Sequence, residues 1–326
     1  MAERETQQQQ DEPVGTPAAG SRTFQIRFDD YRAEVVSTGA GLRMLERAVD
    51  GKAVQLTESW PAGTKPPLSA GLVLAPWPNR IRDGFFYFDG IEHQLELTEP
   101  ARNNAMHGLV RRREWQLEEH ERHRVKQSID VRLQKGWPYP MRLSVTHELD
   151  EEGLSVTHTA TNTGPVPAPF GLGMHTFVRA GDAPLDECTL ELAVGVRQPL
   201  DPERMLPEGP CVPVRGTEYD FSTPRSLKGV WMDTPFSSID VDTDARARQI
   251  LRAPDGTATA LWTDRTFRWV QVFTADPARG QAYPDRGRAL AIEPMTCPPN
   301  AFNTGIDEIV LEPGETWSGQ WGITSL

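Results

Sequence analysis

Cysteine is scarce in this chain: three residues, Cys188, Cys211 and Cys297, among 326. They are widely spaced, none belongs to a C-x-x-C pair, and an odd number fits a reducing compartment better than a disulfide framework. No N-x-S/T acceptor occurs, so glycosylation lends no support to secretion. The N-terminus lacks the basic, apolar, small-residue order of a secretory leader, and a cytoplasmic location is expected. No run of about 18 apolar residues is present to cross a bilayer as a helix. Positive charge is in the minority, with Lys+Arg 34 against Asp+Glu 46 and a net charge of −12. That balance argues against nucleic acid and against anionic membrane surfaces as partners. The spacings H-E-x-x-H, H-x-H, G-x-S-x-G and the Walker phosphate loop are all missing. Metal-site, serine-nucleophile and phosphate-cradle signatures go with them. Amphipathic helices longer than two or three turns are missing too.

What the chain has in abundance is period-two alternation. Phe24, Ile26 and Phe28 alternate with polar residues, as do Leu143, Val145, His147 and Leu149, and then Leu154, Val156, His158 and Ala160. Asp150-Glu-Glu-Gly153 separates the last two runs, which predicts a hairpin. Further strands are predicted at 85–88, 91–97, 115–120, 125–133, 188–194, 249–253, 257–262, 269–274, 289–292, 309–311 and 316–323. Turn signals recur about every ten residues, the rhythm of an all-β sandwich rather than of alternating α/β units. Residues 58–70 and 199–230 read as proline-rich connections. Residues 1–22, with four consecutive glutamines, carry too little apolar surface to order themselves and are expected to form a disordered tail. Residues 23–326 are expected to form one domain.

Three segments hold polar side chains in stiff frames. Glu293 follows the apolar run 289–292 and precedes Pro294, which favours extended geometry at the residue before it. It is therefore expected at the rigid end of a strand. Asn79 and Arg80 follow Pro76-Trp-Pro, and His107-Gly108 comes soon after. His175 follows Gly171-Leu-Gly173. A histidine and a carboxylate can give and take a proton near neutral pH, and an arginine with asparagines can orient hydroxyl-rich ligands. Trp77, Trp115, Phe177, Trp231 and Phe302 offer flat faces of the kind a sugar ring stacks on, or else belong to the core. His147 and His158, in phase with apolar neighbours, read as core histidines, whereas His93, His120 and His123 read as solvated.

The ordered set Asn79-Arg80-Ile, Gly84, Phe88-Asp-Gly90, Asn104-x-x-His107-Gly108, Gly173-x-His175, Glu293-Pro-Met-Thr and Leu311-Glu-Pro-Gly-Glu resembles the aldose 1-epimerases, or galactose mutarotases, over residues 24–326. The resemblance implies an all-β fold, a large antiparallel β-sandwich with an open cleft on one sheet, and no cofactor; the histidine spacing already argues for no metal. It implies a small-molecule sugar as partner, a free aldose whose α and β anomers are interconverted. By the same resemblance Glu293 is the general base, His175 the general acid, and Asn79, Arg80, His107 and Asp233 the sugar-binding residues. The pair is expected to flank the anomeric centre from opposite sides, with Glu293 ionised and His175 protonated. The chain departs from the family in Thr176-Phe177-Val178, where Pro-Tyr-Phe is usual, and in Met106, where leucine is usual. Neither change removes a proton-transfer group, and substrate identity is the property the first one touches.

Two other readings share the same scaffold. Arg111, Arg112 and Arg113 could meet the phosphate of a hexose phosphate, or the sandwich could bind sugar without turning it over. A two-carboxylate glycoside hydrolase lacks a second carboxylate in a comparable frame. Nothing in the sequence sets an oligomeric state.

Overall fold

A computed structural model describes residues 20–326. Most of the expected tail lies outside the described residues. The chain folds into antiparallel sheets, of which two large ones, of nine and eight strands, face each other. Within the nine-stranded sheet, the predicted hairpin pairs Met141–Asp150 with Gly153–Asn162, with Leu149 opposite Leu154. Its second strand pairs with the C-terminal strand Thr316–Ser325, which pairs in turn with Ala258–Thr263. Along the hairpin, buried and partly exposed residues alternate as the sequence pattern requires.

The eight-stranded sheet contains Asp233–Ile239, Trp269–Ala275 and Ala289–Met295 side by side. Their inward residues Phe236, Val270, Val272, Leu290 and Ile292 join Val145, Val156, Leu261, Trp321 and Ile323 of the opposite sheet in one core. Each such side chain contributes about 1.5–3 kcal/mol on burial. The other face of these three strands carries Asp233, Gln271, Phe273 and Glu293, because successive side chains point to opposite faces.

Glu293 does not end its strand. The strand runs on through Pro294 to Met295, with Glu293 opposite Gln271 and Pro294 opposite Val270. Proline brings no donor, and the ladder on its far side is already interrupted there. Gly173–Met174 and Phe177–Val178 are separate two-residue strands, with His175 and Thr176 in the gap between them.

His147 and His158 are fully buried, as expected of core histidines. His158 Nε2 accepts from Trp321 Nε1 at 3.0 Å. His93 is a correction. It is buried, packs its ring at a tilt against Phe86 and shares a 2.7 Å hydrogen bond with the Tyr139 hydroxyl. Its neighbours Glu92 and Gln94 are exposed, so charged flanks concealed an inward position.

Candidate functional site

His175 sits where two strand fragments break, and main chain holds it. Its N–H donates to Leu72 O at 3.1 Å and its carbonyl accepts from Gly71 N at 2.7 Å. At Gly173 an added Cβ would lie 2.9 Å from Pro78 Cβ, so the small residue lets this segment lie against the Pro76–Pro78 turn. Across the gap, His175 Nε2 is 3.5 Å from Glu293 Oε1. The imidazole stacks on Phe177, with ring centroids 5.3 Å apart, and its edge meets Phe273. Both side chains keep a narrow path to solvent, with 9% and 3% of their surface exposed.

Asn79 and His107 are locked to each other. His107 N donates to Asn79 O at 2.8 Å, and Asn79 N donates to His107 Nδ1 at 3.2 Å. Both residues adopt left-handed backbone conformations, with φ of 55° and 62°. Such conformations cost free energy outside glycine and collect at functional sites. Gly108 lets the chain continue: it has φ of 68°, and a Cβ there would meet Ala75 O at 2.0 Å. With Nδ1 accepting, neutral His107 carries its proton on Nε2. Its ring stands edge-on to His175 at 5.6 Å.

Arg80 is buried and gripped by Glu99, a residue with no exposed surface. Nε and Nη2 donate to the two carboxylate oxygens at 2.8 and 3.0 Å. Only Nη1 turns towards Asn79, at 3.3 Å from its Oδ1. Burial would push the Glu99 carboxyl up, but Arg80, with Asn104 and Arg102, holds it below the usual carboxylate range. Asp233, partly exposed, enters through Gln271, whose Nε2 donates to Asp233 Oδ1 at 2.6 Å while its Oε1 accepts from Asn79 Nδ2 at 3.3 Å. Glutamine has no acid–base chemistry to draw notice, and Glu99 stands in no motif, so sequence reasoning passed over both. The available signal for Gln271 was a lone polar residue in an apolar strand.

All six candidates thus form one neighbourhood, with two differences from expectation. His175 and Glu293 stand side by side rather than across a ligand-sized gap. Geminal oxygens share one carbon, so two groups that address them must be close neighbours. The second difference is charge. Burial, together with the Asp233 carboxylate, holds the Glu293 carboxyl well above the usual range despite Arg80. Burial, with the charge of Arg111, lowers His175 to about 3. Both shifts favour the uncharged forms of the pair. His107 is also held neutral, by burial first and then by Arg111, His175 and Arg80. Glu293 Oε2 and His175 Nδ1 are buried without hydrogen-bond partners among the described residues.

The arginine run divides: Arg111 is buried and donates to Ser69 Oγ at 2.8 Å, while Arg112 and Arg113 are exposed. A groove of about 400 Å³, lined by Ser237, Arg265, Arg268 and Asp307, lies at the far end of the Asp233–Ile239 strand and holds none of the six. Among the described residues, no group of three or more His, Cys, Asp or Glu is placed to hold a metal ion. No helix among them is long and apolar enough to cross a membrane.

The fold and this arrangement define a protein of the mutarotase-like β-sandwich class, and comparison with known proteins agrees. The profile of the Aldose 1-epimerase family matches residues 22–324. The chain belongs to the aldose 1-epimerase family, an isomerase family. It is 30% identical to the uncharacterised Escherichia coli K12 protein YihR over 295 residues, 90% of each chain. Identity to human galactose mutarotase is 24% over 319 residues, 90% of this chain and 91% of that one. Among solved structures, a Caenorhabditis elegans GalM/aldose epimerase homologue superposes with a TM-score of 0.81 at 19% identity, covering 94% of this chain and 99% of that one.

Proposed function

We propose that this protein interconverts the α and β anomers of a free hexose by acid–base opening and closure of the ring. The observation that carries the reading is the 3.5 Å approach of His175 Nε2 to Glu293 Oε1. Opening removes the proton from O1 and delivers one to O5 as the C1–O5 bond breaks. Glu293 takes the first and His175 gives the second, working from the ion-pair form. The open-chain aldehyde is then accompanied by a protonated carboxyl and a neutral imidazole. That is the form the buried site favours, so the environment stabilises the pair's state in the middle of the reaction rather than at its ends. After rotation about C1–C2 the same two groups reverse roles and close the ring on the other face. Arg80 Nη1 and the His107 Nε2–H are donors for sugar oxygens, and Asn79 and Asp233, tied through Gln271, hold hydroxyls. Polarimetry on freshly dissolved α-hexose tests the reading: the protein should speed the approach to the anomeric equilibrium.

A second reading, a hexose phosphate as substrate, has one observation in its favour, the buried Arg111 whose charge acts on both His107 and His175. Rates on glucose and glucose 6-phosphate, with Arg111→Ala, separate the two. A phosphate substrate would lose most of its rate in the variant.

A further inference from the structure

The turn at residues 66–72 is tied to His175 twice over. Gly71 N and Leu72 O hold the histidine's main chain. Leu68 packs against the cluster that contains Phe177 and Phe273, the two rings in contact with the imidazole. Inside the turn, Ala70 N donates to Pro67 O at 2.8 Å and Leu72 N to Ser69 O at 3.2 Å. Leu68 and Ser69 follow one another in left-handed conformations, with φ of 48° and 60°. Successive residues of this kind without a glycine are sparsely populated and persist where their surroundings over-determine them.

A few residues further on, the same stretch of chain supports His107. Ala75 bridges to Gly108, and its carbonyl accepts from Leu109 N at 2.7 Å. Arg111 follows in that segment with its main chain fixed: its carbonyl packs so closely on Gly39 that a Cβ there would lie 2.4 Å away. Gly39 O in turn accepts from Val73 N at 3.1 Å. The Arg111 side chain is buried and its Nη1 donates to Ser69 Oγ at 2.8 Å. That bond joins the segment of one site histidine to the turn that holds the other. The guanidinium charge acts on both imidazoles.

We propose that Ser69 is a positioning residue for anomer exchange: its hydroxyl fixes the Arg111 guanidinium, which links the His107 segment to the turn holding His175 and sets a positive charge beside both imidazoles. This rests on the anomer-interconversion reading above and adds to it a residue that acts through another. Two substitutions separate the hydroxyl from the turn. Ser69→Gly takes the left-handed conformation without strain and removes the acceptor. Ser69→Asn also tolerates that conformation and restores an acceptor oxygen. Polarimetry gives kcat and KM for wild type and both variants on glucose or glucose 6-phosphate, whichever wild type turns over faster. Imidazole nitrogen NMR spectra report His107 and His175 without any turnover. Ser69→Gly should lower kcat about tenfold with KM within about twofold. Its unfolding midpoint should stay close to wild type, and both imidazole signals should move. Ser69→Asn should recover most of kcat and return the signals. An unchanged kcat in Ser69→Gly, or a loss carried by KM alone, overturns the positioning role. Equal losses in the two variants trace to the turn and not to the hydroxyl, and overturn it as well. If wild type turns over neither sugar, the anomer-interconversion reading fails and the spectra decide this one. Signals that move in Ser69→Gly and return in Ser69→Asn support the link through Arg111, and signals that stay in place overturn it.

Discussion

His175 Nε2 and Glu293 Oε1 lie 3.5 Å apart with both groups driven towards their uncharged forms. A pair holding one proton titrates as a unit. An isolated imidazole at its ordinary pKa of about 6.5 would lose its proton as pH rises through that value, and activity with it. Here the imidazole is lowered to about 3 and the carboxyl raised, so the pair gains no second proton until far into acid and keeps its single one above the ordinary carboxylate range. The value of kcat/KM is therefore expected not to fall as pH is lowered from 6.5 to 5. A loss of activity on acidification over that interval contradicts it.

Arg80 owes its orientation to Glu99. Glu99→Gln leaves a buried guanidinium without its charge partner, and the expected loss is about 3–5 kcal/mol of stability by denaturant unfolding. Replacing both partners, as in Glu99→Gln with Arg80→Met, should cost less than the sum of the single changes. Activity of the folded fraction of Glu99→Gln should fall mainly through KM, because the donor Nη1 is misdirected rather than removed.

His147 and His158 are buried, and burial lowers each to about 3. Between that value and about 6.5 the unfolded chain binds a proton at each site and the folded chain does not. Stability therefore falls as pH falls through this window, by about 1.4 kcal/mol per pH unit for each histidine. Neither ring nitrogen of His147 has a hydrogen-bond partner among the described residues. His147→Leu should be neutral or stabilising at pH 7 and should roughly halve the slope these two contribute. Unfolding midpoints in denaturant from pH 7 to 5 measure both effects, and an unchanged slope in the variant would remove His147 as a cause.

The fold was legible where burial is one-sided. The runs at 143–149 and 154–160 alternate because one face meets the core, and their hairpin register follows from the turn between them. The strands Leu42–Val49 and Asp233–Ile239 went unread because inward and outward residues do not alternate cleanly along them. Asp233 stands at the head of such a strand, so its neighbours gave no frame for it. Glu293, His175, Asn79, Arg80 and His107 were visible because prolines and glycines bracket them. Gln271 acts by hydrogen-bonding Asn79 and Asp233, and Glu99 by hydrogen-bonding Arg80. That role exists only once residues about twenty to two hundred positions apart have met. The protonation of the central pair was hidden for the same reason, since burial sets it and no short motif encodes burial.

The central claim is that Glu293 and His175 exchange protons with one anomeric centre. NMR exchange spectroscopy between α- and β-hexose resonances, on wild type, Glu293→Gln and His175→Asn, tests it most directly. The account predicts exchange well above the spontaneous rate for wild type and at least about a 10²-fold loss in each variant, with folded spectra throughout. Near wild-type exchange in both variants would contradict it.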